Sequence, residues 1–165
     1  AMFRLTALLT LIALPALAGG TLEGRIVTLN VETWDTPGQM ILQSTGRTVK
    51  VGGDVEFGMG PEFRTPGFDV VPVQVEISPT RVEFSYGADT GSFWATTFNG
   101  YVLRFVTDCA LIEAVAVDEA FTTMQVGKAD IRTDGGALFI NVSGRDYGPG
   151  QRLGLDLVVG DCLLG

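Results

Sequence analysis

The chain has 165 residues, 46% of them hydrophobic and 22 of them glycine, with 19 acidic against 11 basic side chains and a net charge of −8. That length suits one domain able to bury its own core, and the acidic balance argues against nucleic acid and anionic membranes, which need clustered Lys and Arg. Histidine is absent, which removes Ser-His-Asp and Cys-His catalysis, imidazole zinc ligation and histidine pH switching.

The N-terminus has the layout of an export signal. Arg4 supplies the positive charge, Leu5 to Leu17 an apolar stretch, and Ala16-Leu17-Ala18 the small-x-small cleavage pattern. The apolar run is too short to span a bilayer comfortably, and no cysteine follows the cut to carry a lipid. The expected division is a signal peptide over residues 1–18 and a single β-sandwich domain over 19–165, located in the periplasm or outside the cell, with no membrane span after cleavage. The alternative is an uncleaved N-terminal anchor. In an oxidising compartment the two cysteines, Cys109 and Cys162, are expected to form a disulfide. Closing a loop of that length stabilises a fold by about 4 kcal/mol in the chain-entropy model.

In chain order, residues 22–33 alternate as a strand with two fairly apolar faces, and Trp34-Asp35-Thr36-Pro37-Gly38 is expected to break it. Met40 to Gln43 is a short apolar segment. Gly52-Gly53 is expected to turn a hairpin between RTVKV and DVEFG, and Met59 to Gly67, with Gly60-Pro61 and Pro66-Gly67, reads as a loop. Val71, Val73, Val75 and Ile77 alternate with polar residues, as do Val82, Phe84 and Tyr86. A turn at Pro79-Thr80 pairs the two runs so that Ile77 faces Val82, Val75 faces Phe84, and Glu76 lies across from Glu83.

Asn99-Gly100 is a strong short-range hairpin signal and predicts that Tyr101 to Thr107 pairs with Ser92 to Phe98. A second apolar run from Leu111 to Val117 follows, and the whole stretch 101–117 reads as the centre of the sandwich. Residues 118–127 lack strand alternation and are expected to hold a short helical turn. Asp134-Gly135 predicts a further hairpin whose core face is Leu138, Ile140 and Val142. The last strand carries Leu153, Leu155, Leu157 and Val159 inward, which leaves Cys162 facing away unless a bulge at Gly160 turns it back. Nine or so strands, tight turns and no amphipathic helix make the fold class all-β, an antiparallel two-sheet β-sandwich of jelly-roll type.

Few residues offer chemistry. A cross-strand Glu76–Glu83 pair would bring two carboxylates to about 5 Å, the separation used by retaining glycosidases. The plainer reading is a solvated sheet face with Arg81 or Arg104 relieving the repulsion. Asp130, Asp134 and Asp146 sit in or near turns and suit a hard cation, yet no calcium-loop motif is present and turn aspartates usually bond their own backbone. No metal or cofactor is therefore expected. Sugar binding needs exposed aromatics: Trp34 and Tyr147 lie in turn-rich segments and are the candidate platforms, whereas Trp94 and Tyr101 are expected in the core.

From Arg47 onward the pieces RTVKVGGDVEFG, FNGYVLRF and LFINVSGRDYGPGQRLGLDL resemble a family of exported bacterial β-sandwich domains of uncharacterised function. The resemblance implies fold and export and carries no active residue; the two cysteines are outside it. The leading expectation is an exported non-enzymatic binding or structural module whose partner is an unknown protein or a glycan. The alternatives are a lectin-like carbohydrate-binding domain and a carboxylate-based glycoside hydrolase using Glu76 and Glu83.

Overall fold

In the computed structural model the described residues are 20–58, 70–105 and 110–161. The expected signal peptide, both cysteines and the loop from Met59 lie outside them. Among the described residues there are twelve strands: β1 (Ile26–Thr36), β2 (Gln39–Gln43), β3 (Arg47–Lys50), β4 (Val73–Ser78), β5 (Arg81–Tyr86), β6 (Gly91–Ser92), β7 (Phe98–Arg104), β8 (Ala110–Val117), β9 (Ile131–Asp134), β10 (Ala137–Asn141), β11 (Asp146–Tyr147) and β12 (Arg152–Asp161). The fold is all-β and every ladder is antiparallel. No helix among the described residues is long and apolar enough to cross a membrane.

One sheet runs β2-β1-β7-β10-β9, with β3 also paired to β1; a second runs β4-β5-β12-β8; β11 and β6 form a small ribbon. Period-two alternation directs Val27, Leu29 and Val31 of β1, Tyr101 and Leu103 of β7, and Leu138 and Ile140 of β10 to the inner face of the first sheet. Val75 and Ile77, Val82 and Phe84, and Leu153, Leu155 and Leu157 do the same from the second. These residues belong to a single buried cluster shared by the two sheets. Each fully buried aliphatic or aromatic side chain stabilises such a core by about 1.5–3 kcal/mol relative to exposure.

The hairpin at Pro79-Thr80 has the expected register, with Ser78 paired to Arg81, Ile77 to Val82 and Glu76 to Glu83. The β9–β10 hairpin also forms; it turns at Gly135-Gly136, where Gly135 adopts φ +58°, and Leu138, Ile140 and Val142 are fully buried. The expected helical turn after Asp118 is one turn long, with the Thr122 N–H donating to the Asp118 carbonyl and the Asp118 carboxylate accepting from the Ala120 and Phe121 N–H groups.

Four expectations about connection are corrected. Asn99-Gly100 is not a turn: both residues lie inside β7, facing Thr33 and Glu32 of β1, and Gly100 also pairs with Asn141 of β10. Glycine is required there because the Ile140 carbonyl oxygen occupies the space a Cβ would take. Gly52-Gly53 makes no hairpin either; β3 pairs with β1, and the chain crosses to the other sheet, where Phe57 bridges Val75. The buried Glu56 carboxylate anchors that crossing by accepting from the Gly52 and Ile77 N–H groups at 3.0 and 2.6 Å. β1 runs on through Trp34 to Thr36 and turns at Pro37-Gly38. Finally, the bulge between β8 and β12 falls at Glu113, where the register shifts between Val158 and Val159, and not at Gly160.

The stretch 101–117 is consequently split. Its first half, in β7, is the centre of one sheet, while its second half, β8, is paired to β12 at the end of the other.

Candidate functional site

The expected carboxylate pair lies on the outer face of the four-stranded sheet. Glu83 is not available as a free carboxylate, because the Arg81 Nε donates to it at 2.5 Å. The same guanidinium reaches Asp156 through Nη1 at 2.7 Å and Asp118 through Nη2 at 2.9 Å, so each nitrogen has its own anion. The hydrogen bond from Arg81 holds the Asp118 carboxyl below the usual carboxylate range, with help from the Phe121 N–H. Phe121 lies against both Arg81 and Arg152, with guanidinium-to-ring distances of 5.1 and 4.8 Å. Gly154 leaves the room for this stack; a Cβ there would meet both Arg81 and Phe121. Glu76 is exposed opposite this cluster. The arrangement is a clamp that fastens the 118–122 turn to the sheet.

The two sugar-platform candidates do not come together. Trp34 faces outward from the six-stranded sheet and stacks on Phe98 with ring centroids 5.0 Å apart and planes 11° from parallel. On the same face the buried Glu32 carboxylate pairs with Arg104 at 2.8 Å and accepts from the Gln43 amide. Tyr147, in β11, lies at the opposite surface of that sheet, packed edge-on against Phe93 at 5.1 Å. Among the turn aspartates, Asp130 caps the Gly127 N–H and meets Arg145, and Asp146 accepts from the Ser92 hydroxyl. No group of three or more His, Cys, Asp or Glu among the described residues could hold a metal ion.

What the sequence did not reveal is a cavity of about 380 Å³ at the end of the core beside β6 and β11. Ligand pockets commonly fall between roughly 300 and 1,000 Å³ and pair apolar walls with a few polar groups. Val31 and Leu42 of the first sheet, Val70 and Val71 before β4, and Phe93 supply the apolar wall. Thr33 and Asn99, neighbours across β1 and β7, bring polar atoms that already bond each other at 3.0 Å. The Asn99 amide also donates to the Trp94 carbonyl, which fixes the 93–97 segment over β7. Trp94, expected in the core, is instead 57% exposed and stands at the cavity with Tyr147. The Tyr147 ring can lie across β6 because residue 91 is glycine; a Cβ would strike the phenol.

Tyr101 is 1% exposed and lines the inner end of the cavity. Its ring packs on Phe84 and, edge-on, on Phe93. Its hydroxyl lies near that of Tyr86 without well-formed hydrogen-bond geometry, and neither hydroxyl has another partner among the described residues. Burial, and then the neighbouring Tyr86 phenol, pushes the Tyr101 pKa well above its ordinary value, and burial does the same to Tyr86. Both are neutral at any physiological pH. An unmet buried hydroxyl costs about 1–3 kcal/mol.

The sequence signals for this site were Tyr147, named as a candidate sugar platform, and Ser92-Phe93-Trp94 and Asn99, read as strand and turn. Comparison of the chain with family models, curated proteins and solved structures finds no match.

Proposed function

We propose that this chain is an exported, non-enzymatic binding module, a two-sheet sandwich of jelly-roll type, that holds a small ligand in the cavity between Trp94 and Tyr101. The observation that carries the reading is the combination of an apolar wall and an exposed aromatic at the rim. The non-enzymatic part is supported by the lack of histidine and by the engagement of Glu83 with Arg81. The hydrolase alternative asks for an aromatic platform beside Glu76 and Glu83, whereas Trp34 and Tyr147 belong to other faces of the molecule. A glycan partner is the second reading, favoured by the exposure of Trp94.

Screening a chemically diverse small-molecule set by thermal shift, with Trp94→Ala as control, tests the binding site. The expected result is a set of stabilising compounds whose effect is lost in Trp94→Ala. Compounds that stabilise both proteins equally would overturn the assignment of the cavity.

Export, the signal peptide at residues 1–18 and the likeness to exported bacterial β-sandwich domains belong to the same proposal, as does a Cys109–Cys162 disulfide. Strands β8 and β12 are still in register at Ala110–Asp161, and one further pair in that register would join positions 109 and 162. Thiol titration of the unfolded, unreduced protein is expected to find no free thiol. Two free thiols would remove the bridge.

A further inference from the structure

We infer that the edge of β8 is a docking strand for an extended segment of a partner protein, one that alternates apolar with basic residues and adds itself to the four-stranded sheet. The two edges of that sheet are finished differently. At β4 the edge is closed: Phe57 exchanges both main-chain hydrogen bonds with Val75, and the Glu56 carboxylate accepts from the Ile77 N–H. At the other end, β8 is covered over its first half, where the Ile112 N–H donates to the Gly135 carbonyl. Beyond the bulge at Glu113 the ladder to β12 alternates. The Asp118 N–H bonds the Gly154 carbonyl, so Ala116 and Ala114 also direct their main-chain groups to β12, while Val115 and Val117 direct theirs away. Among the described residues no other backbone group pairs with Val115 or Val117. Edge strands that stay unpaired are commonly guarded by lysine or proline; β8 reads ALIEAVAV and has neither.

Packing marks the same place. Val115 and Val117 lie on the core face, opposite Leu157 and Leu155, yet are only half buried, as is Ile131 of β9. Thr133 pairs with the fully buried Leu138 and so shares the inner face, but it is exposed. The sandwich is therefore open between the second half of β8 and β9. A strand added there would satisfy the main chain of Val115 and Val117 and cover their side chains. None of the described residues lining the cavity belongs to β8 or β9, so this site stands apart from it.

Charge selects the occupant. Glu113 on β8, Glu119 in the turn after it and Asp134 at the end of β9 are exposed, and the chain carries a net charge of −8. β8 itself holds no cation; Lys128 precedes β9, and Arg132 lies over Phe139, at 3.8 Å, on the outer face of the other sheet. Two copies meeting at β8 would bring like charges together, whereas a strand bearing lysine or arginine meets the opposite sign.

The test follows the backbone amide signals of the purified protein in NMR spectra as three synthetic hexapeptides are added. One alternates lysine and valine, one alternates glutamate and valine, and the third is the lysine peptide with all its peptide nitrogens methylated. The expected result is that the lysine peptide binds with the largest shifts at the Val115 and Val117 amides. The glutamate peptide should bind about tenfold more weakly, and the methylated one not at all. Val115→Pro removes an N–H that points away from β12 and should weaken the lysine peptide about tenfold. Glu113→Lys, at an exposed position, should weaken it about fivefold and decides the matter with the methylated peptide if Val115→Pro does not fold.

Equal binding of the methylated peptide, shifts centred on Trp94 instead of β8, or silence from all three peptides at millimolar concentration would each overturn the inference. A dimer in analytical ultracentrifugation that Glu113→Lys or Val115→Pro alters would overturn the partner segment and give the edge to a second copy.

Discussion

At Arg81 each guanidinium nitrogen meets its own carboxylate, and the cluster sits at the surface where water shares the load. At Tyr101 and Tyr86 two hydroxyls are buried and face each other with poor geometry. The first region gathers Arg81, Glu83, Asp118 and Asp156, and its chemistry is used up in holding a turn to a sheet. The second carries no charge and looked like ordinary core, yet its two hydroxyls keep unspent hydrogen-bonding capacity. Satisfied polar clusters fasten structure, whereas unsatisfied buried ones point to something that binds or to a cost the fold tolerates.

Substitutions can break this contrast at different strengths. The largest effect is expected for Tyr101→Ala, which deletes a buried ring packed on Phe84 and Phe93 and should destabilise by about 3–5 kcal/mol in urea unfolding. A loss below about 1 kcal/mol would mean the ring is not part of the core. Alkaline titration sharpens the same point. The folded-state pKa values of Tyr86 and Tyr101 are raised by burial, so the stability they contribute is intact below the ordinary phenol pKa of about 10. It is lost as pH rises above that value. Phenolate absorbance from these two residues should therefore appear together with unfolding, not before it.

Arg81→Met comes next, at about 1–2 kcal/mol, the scale of a partly exposed ion-pair network with one ring contact. Its pH dependence has a fixed sign. Arg81 depresses the Asp118 pKa in the folded protein, so the contribution is present above the ordinary carboxylate range and fades as pH falls through the depressed value. The gap between wild type and Arg81→Met should narrow on acidification; a constant gap would show that ring packing, not charge, does the fastening.

Tyr101→Phe is expected to lie between neutral and about 1 kcal/mol stabilising, since it removes a hydroxyl that is poorly bonded in the unliganded protein. A clear destabilisation would mean the Tyr86–Tyr101 contact is a real hydrogen bond, and the contrast with Arg81 would weaken. Glu76→Gln should be the smallest, within about 0.5 kcal/mol, because the residue is exposed. It should slightly favour stability by relieving repulsion across from Glu83.

Strand content was legible because alternation is a local property. Leu153, Leu155, Leu157 and Val159 declare an inner face without any knowledge of the neighbours, and so do Leu138, Ile140 and Val142. The Pro79-Thr80 hairpin was legible for the same reason, as its pairing follows from a two-residue loop and two matched alternations. Asn99-Gly100 misled because the same dipeptide meets two different demands. In a turn it supplies positive φ; here Gly100 supplies empty space beneath the Ile140 carbonyl, and only strands distant in sequence create that demand.

The amino-acid order by itself determined an all-β chain with paired antiparallel segments, an acidic surface and no imidazole chemistry, since each depends on composition or on near neighbours. The tertiary structure alone decided that β7 lies between β1 and β10, that Arg81 gathers Glu83, Asp118 and Asp156, and that Val31, Leu42, Phe93, Trp94 and Tyr101 surround a common space. Those outcomes depend on which distant strands become neighbours, and packing between sheets, not pattern within a strand, chooses them.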